Sequence, residues 1–294
     1  MELRQRAAEA LRELPPSVHE KVPPAVRRSL RHRLGRYYAW EVGYDHHDTP
    51  VLAPGETNGP PGFVGIGVQK AGTSWWYRLV VDHPQVSHRP SIHKERHFFA
   101  RFGTDEFGPS DIADYQAWFP RAAGTTTGEW TPDYFSYPWV PPLLARAAPE
   151  AKLLLLLRDP VQRFRSGLAA QVRSGANHVG TAQAGALNRS LYAPALRRWQ
   201  DHFPDQQLLV MQYEACVADP VGHLTATYEF LGLDPDHRPH DLRREVNKTV
   251  QGSIELPPDA LERLEEILAP DIAELATLVP KLDLSLWPSA ARLG

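Results

Sequence analysis

Two short segments of the sequence carry residue types that bind anions. The first, residues 67–74, reads Gly-Val-Gln-Lys-Ala-Gly-Thr-Ser. Glycines let backbone N–H groups approach a ligand, the closing hydroxyls can donate hydrogen bonds, and Lys70 supplies a full positive charge. In loops that bind nucleoside triphosphates the lysine follows the second glycine, where this chain has Thr73. The segment therefore predicts an anion site that does not hold magnesium and ATP. A glycine-rich turn without a ligand is the alternative.

The second segment, residues 158–166, reads Arg-Asp-Pro-Val-Gln-Arg-Phe-Arg-Ser. Arg158 directly follows a run of leucines, and Ser166 lies about two turns into the helix that should begin after the Asp-Pro pair. An arginine and a hydroxyl at this spacing indicate a second phosphate site, although a salt-bridged turn would use the same residues. Two neighbouring anion sites would fit one ligand with two separated phosphate-type groups.

The elements that must position both segments are strands followed by helices. An apolar run at residues 63–68 precedes a helical pattern at 73–81, and the leucines at 153–157 precede a helix from about Val161. A third apolar run lies at 207–211. Strands this apolar belong to a sheet covered on both faces, so the order predicts an α/β fold with a P-loop-like central parallel β-sheet flanked by helices. In such sheets ligands bind beyond the carboxyl ends of the strands, where both segments lie.

Composition divides the 294-residue chain into an N-terminal extension and one main domain. Residues 1–52 carry short helical patterns cut by prolines, with nine Lys or Arg against four Glu up to Arg36. We expect this accessory extension to be a helical arm packed on the main domain; a homodimer or docking surface and contact with an anionic membrane are the alternatives. The stretch 53–62 contains three Gly and three Pro, which is typical of a linker, so the main domain is predicted at 62–294.

Charge and apolar content exclude several classes of protein. The formal net charge of -3 provides no global attraction to nucleic acid. No stretch is apolar enough to cross a membrane, and the N-terminus lacks the apolar run of a signal peptide. The single cysteine, Cys216, cannot form an intrachain disulfide and fits a buried apolar position. We therefore expect a soluble, cytoplasmic protein with no integral membrane segment and no nucleic-acid partner.

Both anion-binding segments resemble motifs of one family, the sulfotransferases that use 3′-phosphoadenosine 5′-phosphosulfate. QKAGTSWW, residues 69–76, is similar to their 5′-phosphosulfate loop, and RDPVQRFRS, residues 158–166, is similar to their 3′-phosphate motif. HKERHFF at 93–99 and GEWTPDYF at 128–135 resemble the branch that sulfates glycosaminoglycans and related carbohydrates. The resemblance spans roughly residues 62–287 and implies the sulfotransferase fold.

The resemblance assigns the donor site residue by residue. The 5′-phosphosulfate would bind the first segment, chiefly Lys70, Thr73 and Ser74, and the 3′-phosphate would bind Arg158 and Ser166. A further lysine, at 248, lies in a polar segment that would either close over the donor or remain a solvated loop. The complete predicted set is Gln69, Lys70, Ala71, Gly72, Thr73, Ser74, Trp75, Arg158, Ser166 and Lys248.

Three residues are predicted to take part in the transfer itself. By the resemblance, Glu95 would be the general base that removes the acceptor proton, Lys70 would stabilise charge on the departing 5′-phosphate, and His97 would orient the base or the acceptor. On the sequence alone, Glu95 would equally be an exposed partner of Lys94 or Arg96, and His97 a packed or half-exposed residue. A sulfuryl group carries less negative charge than a phosphoryl group, so no metal is expected.

The acceptor site is the least defined part of the sequence. The carbohydrate branch often has Asp after the His-Phe-Phe triplet, where this chain has Ala100, which puts that branch's acceptor contacts in doubt. Glu129, Trp130 and Tyr134 would form a polar and aromatic acceptor wall, unless they are core residues. A loop predicted at 169–190, with its Gly, Asn and Gln content, would fold over the acceptor.

The sequence therefore predicts an enzyme, a sulfotransferase that passes the sulfuryl group in line from the donor to a hydroxyl of a carbohydrate or other small metabolite. An amine is the alternative acceptor, and 3′-phosphoadenosine 5′-phosphate would be the second product. Two other hypotheses stay open. One is a kinase built on the same strand, loop and helix, against which the displaced lysine argues. The other is a noncatalytic nucleotide-binding module whose basic extension recruits a partner.

Overall fold

The structure is a computed structural model, which describes residues 49–88, 94–173, 179–242 and 254–293. Its strands in these ranges are β1 (Glu56–Thr57), β2 (Phe63–Gly67), β3 (Arg121–Ala122), β4 (Gly128–Trp130), β5 (Lys152–Leu157) and β6 (Leu208–Gln212). Its α-helices there are α1 (Thr73–Val81), α2 (Pro109–Gln116), α3 (Val140–Ala147), α4 (Pro160–Arg173), α5 (Val179–Asn188), α6 (Ala193–Gln200), α7 (Tyr213–Ala218), α8 (Pro220–Leu231) and α9 (Pro258–Leu278). Short 3₁₀ helices cover Phe98–Gly103, Pro132–Ser136, Asp205–Gln207, Leu284–Leu286 and Pro288–Leu293.

The central sheet has the strand order β4, β2, β5, β6, and every pair in it is parallel. Leu153 to Leu157 are all fully buried, as the middle of a sheet covered on both faces requires. The predicted α/β fold with a central parallel sheet flanked by helices is confirmed. A separate antiparallel pair joins β1 to β3.

The predicted elements agree closely with the observed ones. Helix α1 has the predicted bounds, and β6 lies one residue later than predicted. No apolar run indicates β4 in the sequence, because Gly-Glu-Trp is too short and too polar. The predicted extension, residues 1–52, lies almost entirely outside the described residues, so the domain division stays a prediction.

Asp159 fixes the turn between β5 and α4. Its Oδ1 accepts a hydrogen bond from the Gln162 N–H (2.9 Å), which caps the first turn of α4, and its Oδ2 accepts one from the Ser289 N–H (3.0 Å). The Asp159 N–H donates to Oε1 of Glu214 (3.0 Å), whose Oε2 accepts from Trp287 Nε1 (2.9 Å). The turn that carries Arg158 is therefore tied to the chain just after β6 and to the C-terminal 3₁₀ segment.

We expect Asp159→Ala to destabilise the protein by about 2–3 kcal/mol, because it removes a helix cap and leaves a buried N–H without its acceptor. A matched control is Asp219→Ala, which removes the cap that Asp219 Oδ1 gives to the Gly222 N–H at the exposed start of α8. That change should cost only about 1 kcal/mol. Urea unfolding of both variants measures the difference, and equal losses would contradict a buried tie at Asp159.

Candidate active site

The loop between β2 and α1 has the shape of an anion cradle. The Val68 N–H donates to the Leu156 carbonyl (3.0 Å), which anchors the loop to β5. Lys70 and Gly72 have positive φ values of 72° and 83°. A Cβ on Gly72 would lie 2.7 Å from the Tyr213 ring, so only glycine fits there. The loop ends at the N-terminus of α1, where the helix dipole attracts anions.

Arg158 brings the second predicted phosphate segment against this loop. Its Nη1 donates a hydrogen bond to the Lys70 carbonyl (3.0 Å), and its guanidinium lies 5.1 Å from the centroid of the Tyr213 ring. The Arg158 carbonyl accepts from the Tyr192 hydroxyl (2.9 Å). Ser166 lies in the second turn of α4 and is half-buried. The structure thus brings Lys70 and Arg158 together at the carboxyl ends of the neighbouring strands β2 and β5.

Lys94 links the loop hydroxyls to the predicted base. Its Nζ donates to Thr73 Oγ1 and to Ser74 Oγ, both at 3.1 Å, and lies 3.0 Å from Glu95 Oε1. The sequence had named Lys94 only as a potential ion-pair partner of Glu95. That pair is present, but the same ammonium also contacts the start of α1. The only signal for this role in the sequence was the position of Lys94 next to Glu95.

Glu95 and His97 form a second ion pair at the mouth of the site. His97 Nε2 lies 3.3 Å from Glu95 Oε2, and the two side chains are 29% and 41% exposed. Burial raises the pKa of Glu95, but the hydrogen bond from His97 and the charge of Lys94 outweigh it and hold that pKa below its ordinary value. The hydrogen bond to Glu95 raises the pKa of His97, with Asp133 adding to the effect. Glu95 is therefore an ionised, reachable carboxylate at neutral pH, as a general base requires.

A buried carboxylate, Glu129 of β4, holds the Glu95 segment in place. Its Oε2 accepts hydrogen bonds from the Arg96 N–H (3.2 Å) and the Thr131 hydroxyl (2.6 Å), and its Oε1 accepts from the Tyr115 hydroxyl (2.8 Å). Thr131 Oγ1 also accepts from the N–H groups of Arg96 (2.9 Å) and His97 (3.3 Å). Burial raises the pKa of Glu129, although these hydrogen bonds oppose it. The backbone on both sides of Arg96 is thus fixed against β4.

The predicted acceptor wall is wrong. Glu129, Trp130 and Tyr134 are all buried, as the core alternative for these residues had it. Trp130 Nε1 donates to the Gly67 carbonyl (3.1 Å), and the Trp130 ring fills the space beside Gly65, where any side chain would collide with it. An aromatic residue opposite a glycine of the neighbouring strand packs in the core because the glycine leaves room for it.

The structure also bears on two other features of the predicted acceptor site. The predicted loop at 169–190 is largely helical, since α4 runs to Arg173 and α5 covers Val179–Asn188. Its alanines and glutamines favour helix, which the Gly and Asn content had obscured. Ala100 is buried in the 3₁₀ helix Phe98–Gly103, so an acceptor contact from this position is not available in this conformation.

The sequence did not indicate a polar cluster formed by Asp133, Tyr137 and Arg189. Arg189 Nε lies 3.4 Å from Asp133 Oδ1, and both side chains are partly exposed. Burial raises the pKa of Tyr137, Asp133 adds to this rise, and a hydrogen bond with Arg189 opposes it. The charge of Asp133 also acts on His97. Asp133, Tyr137 and Arg189 are therefore grouped beside the Glu95–His97 pair, although nothing in their spacing along the chain indicated this.

The remaining predicted donor residues take different positions. Gln69 is half-buried and Ala71 is fully buried, so Ala71 can contribute only its backbone. Trp75 Nε1 donates to the Leu242 carbonyl (2.7 Å). Arg165 Nε donates to the Ile254 carbonyl (2.8 Å). Lys248 itself lies outside the described residues, and its role stays a prediction.

Among the described residues, no three His, Cys, Asp or Glu side chains are grouped in a way that could hold a metal ion. The expectation that the reaction needs no metal stays a prediction. Cys216 is buried with a free thiol, as expected, and burial raises the pKa of that thiol.

Comparison with known proteins shows similarity to one family. The family model "Sulfotransferase family" matches residues 131–237. A crystal structure of a sulfotransferase from Alicyclobacillus acidocaldarius superposes with a TM-score of 0.64 and 25% identity, covering 77% of this chain and 98% of that one. Over this region the chain is similar to the sulfotransferase family. The sulfotransferase STF9 from Mycobacterium avium has the same fold, with a TM-score of 0.53 and 13% identity over 77% of this chain and 78% of that one.

Curated proteins similar to this chain are named as heparan sulfate sulfotransferases. Human heparan sulfate glucosamine 3-O-sulfotransferase 3B1 is 31% identical over 189 residues, which is 59% of this chain and 46% of the relative. Human bifunctional heparan sulfate N-deacetylase/N-sulfotransferase 3 is 28% identical over 203 residues, covering 60% of this chain and 23% of the relative. The chain thus spans less than half the length of these two relatives.

The prediction of a cytoplasmic location is wrong, because the matched heparan sulfate sulfotransferases are Golgi-lumenal enzymes. That prediction rested on the lack of an apolar leader and of a second cysteine, and neither absence reports a compartment. In the part of the chain that the structure describes, no helix combines the length and the apolar character needed to cross a membrane.

The Glu95–His97 pair predicts a pH-dependent contribution to stability. The pair is complete only while Glu95 is ionised and His97 is protonated. Since the pKa of Glu95 is lowered from 4.5 and the pKa of His97 is raised from 6.5, the contribution is present between these values and is lost as pH rises through the pKa of His97.

We therefore expect His97→Gln to lower Tm by about 1–2 °C at pH 6 and by less at pH 9, as befits a half-exposed pair worth under about 1 kcal/mol. His202→Gln, at an exposed position after α6, is the matched control and should change Tm equally at both values of pH. Calorimetric melting at the two pH values measures both. An equal loss for His97→Gln at pH 6 and pH 9 would contradict the ion pair.

Proposed function

We propose that this protein is an enzyme that transfers the sulfuryl group of 3′-phosphoadenosine 5′-phosphosulfate to a hydroxyl of a carbohydrate, with Glu95 as general base. The observation that carries the proposal is the hydrogen bond from Arg158 Nη1 to the Lys70 carbonyl. This contact supports the proposal because it joins the two segments that we assign to the two phosphate groups of one bisphosphorylated nucleotide. Similarity to the sulfotransferase family supports the choice of donor.

The residues around the loop fit such a donor chemically. Lys70 and Arg158 supply two cations, the N-terminus of α1 supplies the positive end of a helix dipole, and Thr73 and Ser74 supply hydroxyls. The space left by Gly72 lets the loop backbone lie against Tyr213 without a side chain between them. In our assignment the 5′-phosphosulfate lies at the start of α1, and Arg158 and Ser166 bind the 3′-phosphate. Lys248 is proposed to add a further cation to the donor site.

The proposed reaction needs three tasks from the protein. Glu95 accepts the proton of the acceptor hydroxyl while the acceptor oxygen forms a bond to sulfur. The bond between sulfur and the 5′-phosphate oxygen breaks at the same time, and Lys70 with the N–H groups of the loop stabilises the charge that returns to that phosphate. His97 holds Glu95 in position through the 3.3 Å contact between Nε2 and Oε2. The proton thus passes to Glu95, the sulfuryl group to the acceptor oxygen, and the negative charge to the 5′-phosphate.

A carbohydrate hydroxyl is favoured over an amine by the relatives. Those named as 3-O-sulfotransferases are 31–32% identical to this chain, and those named as N-sulfotransferases are 27–28% identical. Glu95 is 41% exposed, so a large acceptor can reach it. Asp133, Tyr137 and Arg189 lie beside it and offer hydrogen-bond donors and acceptors of the kind that bind sugar hydroxyls. We assign these three residues to the acceptor site.

The donor assignment predicts the effects of removing its two cations. Lys70→Ala and Arg158→Ala should each weaken binding of 3′-phosphoadenosine 5′-phosphate at least about 10-fold, because each removes a charge-assisted contact to a phosphate. Lys281→Ala, at an exposed turn after α9, should leave binding unchanged. Isothermal titration calorimetry of the full chain measures all three. Wild-type binding in both cation variants would rule out the assigned donor site.

The base assignment predicts a separation of binding from catalysis. We expect Glu95→Gln to lower kcat by about 10²- to 10⁴-fold, because only the transition state needs a proton acceptor, and to leave the Kd for 3′-phosphoadenosine 5′-phosphate within about 3-fold. Glu229→Gln, on the exposed side of α8, is the matched control. Release of the bisphosphate product from the sulfuryl donor, assayed against a panel of glucosamine-containing saccharides, measures kcat. Full activity in Glu95→Gln would reassign the base.

A further inference from the structure

Lys94 occupies the one place in the described site from which a single cation contacts both the donor loop and the base. Its ammonium has three N–H donors, and three acceptors surround it: Thr73 Oγ1 and Ser74 Oγ at 3.1 Å, and Glu95 Oε1 at 3.0 Å. Its side chain is only 15% exposed, so water competes weakly for these contacts. An ammonium this well enclosed by side-chain oxygens is held by them in one position.

The direction of these hydrogen bonds matters for anion binding. An ammonium can only donate, so Thr73 and Ser74 accept through their Oγ atoms. Each hydroxyl keeps its own proton free to donate elsewhere. At the start of α1, where an anion is expected, two hydroxyls fixed as donors are more useful than two that are free to rotate.

The charge of Lys94 also bears on the base. The charged groups that act on Glu95 are Lys94 and His97, and the groups that act on His97 are Asp133, Glu95 and Glu129. Lys94 is therefore the cation on the donor side of Glu95, while His97 is the cation on its open side. Burial lowers the pKa of Lys94, and the charge of Glu95 opposes that effect, so the ammonium and the carboxylate stabilise each other.

We propose that Lys94 is a positioning residue that couples the two halves of the reaction: it orients the hydroxyls of Thr73 and Ser74 toward the donor's anionic group and keeps Glu95 charged to accept the proton. This inference rests on the proposed function, because it assigns a task within that transfer. It differs from the role of Lys70, which lies inside the loop and acts on the departing phosphate.

The experiment compares Lys94→Met, which removes the charge, with Lys94→Arg, which keeps it. With 3′-phosphoadenosine 5′-phosphosulfate as donor and an acceptor from the saccharide panel, or water, product release is followed from pH 4 to pH 9. We expect the acid limb of kcat/KM to move up by about one pH unit in Lys94→Met and to stay in place in Lys94→Arg, even where both lower the rate. Lys281→Met is the control. An unmoved limb in Lys94→Met would overturn the proposal, since a merely structural lysine would change the rate alone.

A second measurement does not depend on turnover. The His97 imidazole is titrated by NMR in the full chain without donor. Loss of the Lys94 charge leaves His97 as the only cation beside Glu95 among the groups named above, so the pKa of His97 should rise by a few tenths of a unit in Lys94→Met and not in Lys94→Arg. Should Lys94→Met not fold, Lys94→Gln carries the same expectation. A wild-type chain that releases no product overturns the proposed function, whereas an unchanged His97 titration overturns the role of Lys94.

Discussion

The hydrogen bond from Arg158 to the carbonyl of Lys70 joins two loops that leave different strands of the sheet. Both loops carry positively charged side chains, so electrostatics alone would keep them apart. The contact is made because a guanidinium can donate to a backbone carbonyl without regard to the charge of that residue's side chain. The guanidinium of Arg158 is thereby held against the backbone of the loop that carries Lys70. Folding therefore offsets part of the free-energy cost of bringing the two segments together before a ligand binds.

The buried Glu129 likewise holds a chain segment in place, in this case the one that carries Glu95. An isolated carboxylate in the core costs several kcal/mol, yet this one is surrounded by donors that satisfy it. Two of those donors are backbone N–H or hydroxyl groups that bear directly on the segment carrying Glu95. The ionised base at the surface is positioned by a second acidic residue that no acceptor can reach.

The sequence was informative where apolar runs and backbone conformation decide the structure. The leucines of β5, the helix bounds of α1 and the adjacency of Lys70 to Arg158 all follow from local patterns and from the rule that ligands bind at the carboxyl ends of parallel strands. Glu95 and His97 were named through a family resemblance, and their pairing fits the proposed roles. The acceptor side failed for a physical reason. Whether Trp130 faces a ligand or the core depends on its pairing with Gly65 of β2, and that pairing is set by the tertiary structure. The role of Lys94 was not predicted because it depends on contacts with three oxygens from two segments that are distant in the sequence.

Because β4 is an edge strand of the described sheet, the residues that we assign to the acceptor and those that we assign to the donor follow strands with different numbers of neighbours. The groups assigned to the donor hang from β2 and β5 in the interior of the sheet, where every substitution disturbs neighbours on both sides. Asp133 follows β4, which has a neighbour on one side only within the described sheet. Residues beyond an edge strand can diverge at little cost to folding, so a lineage can retain its sulfuryl donor unchanged while successive members acquire new acceptors.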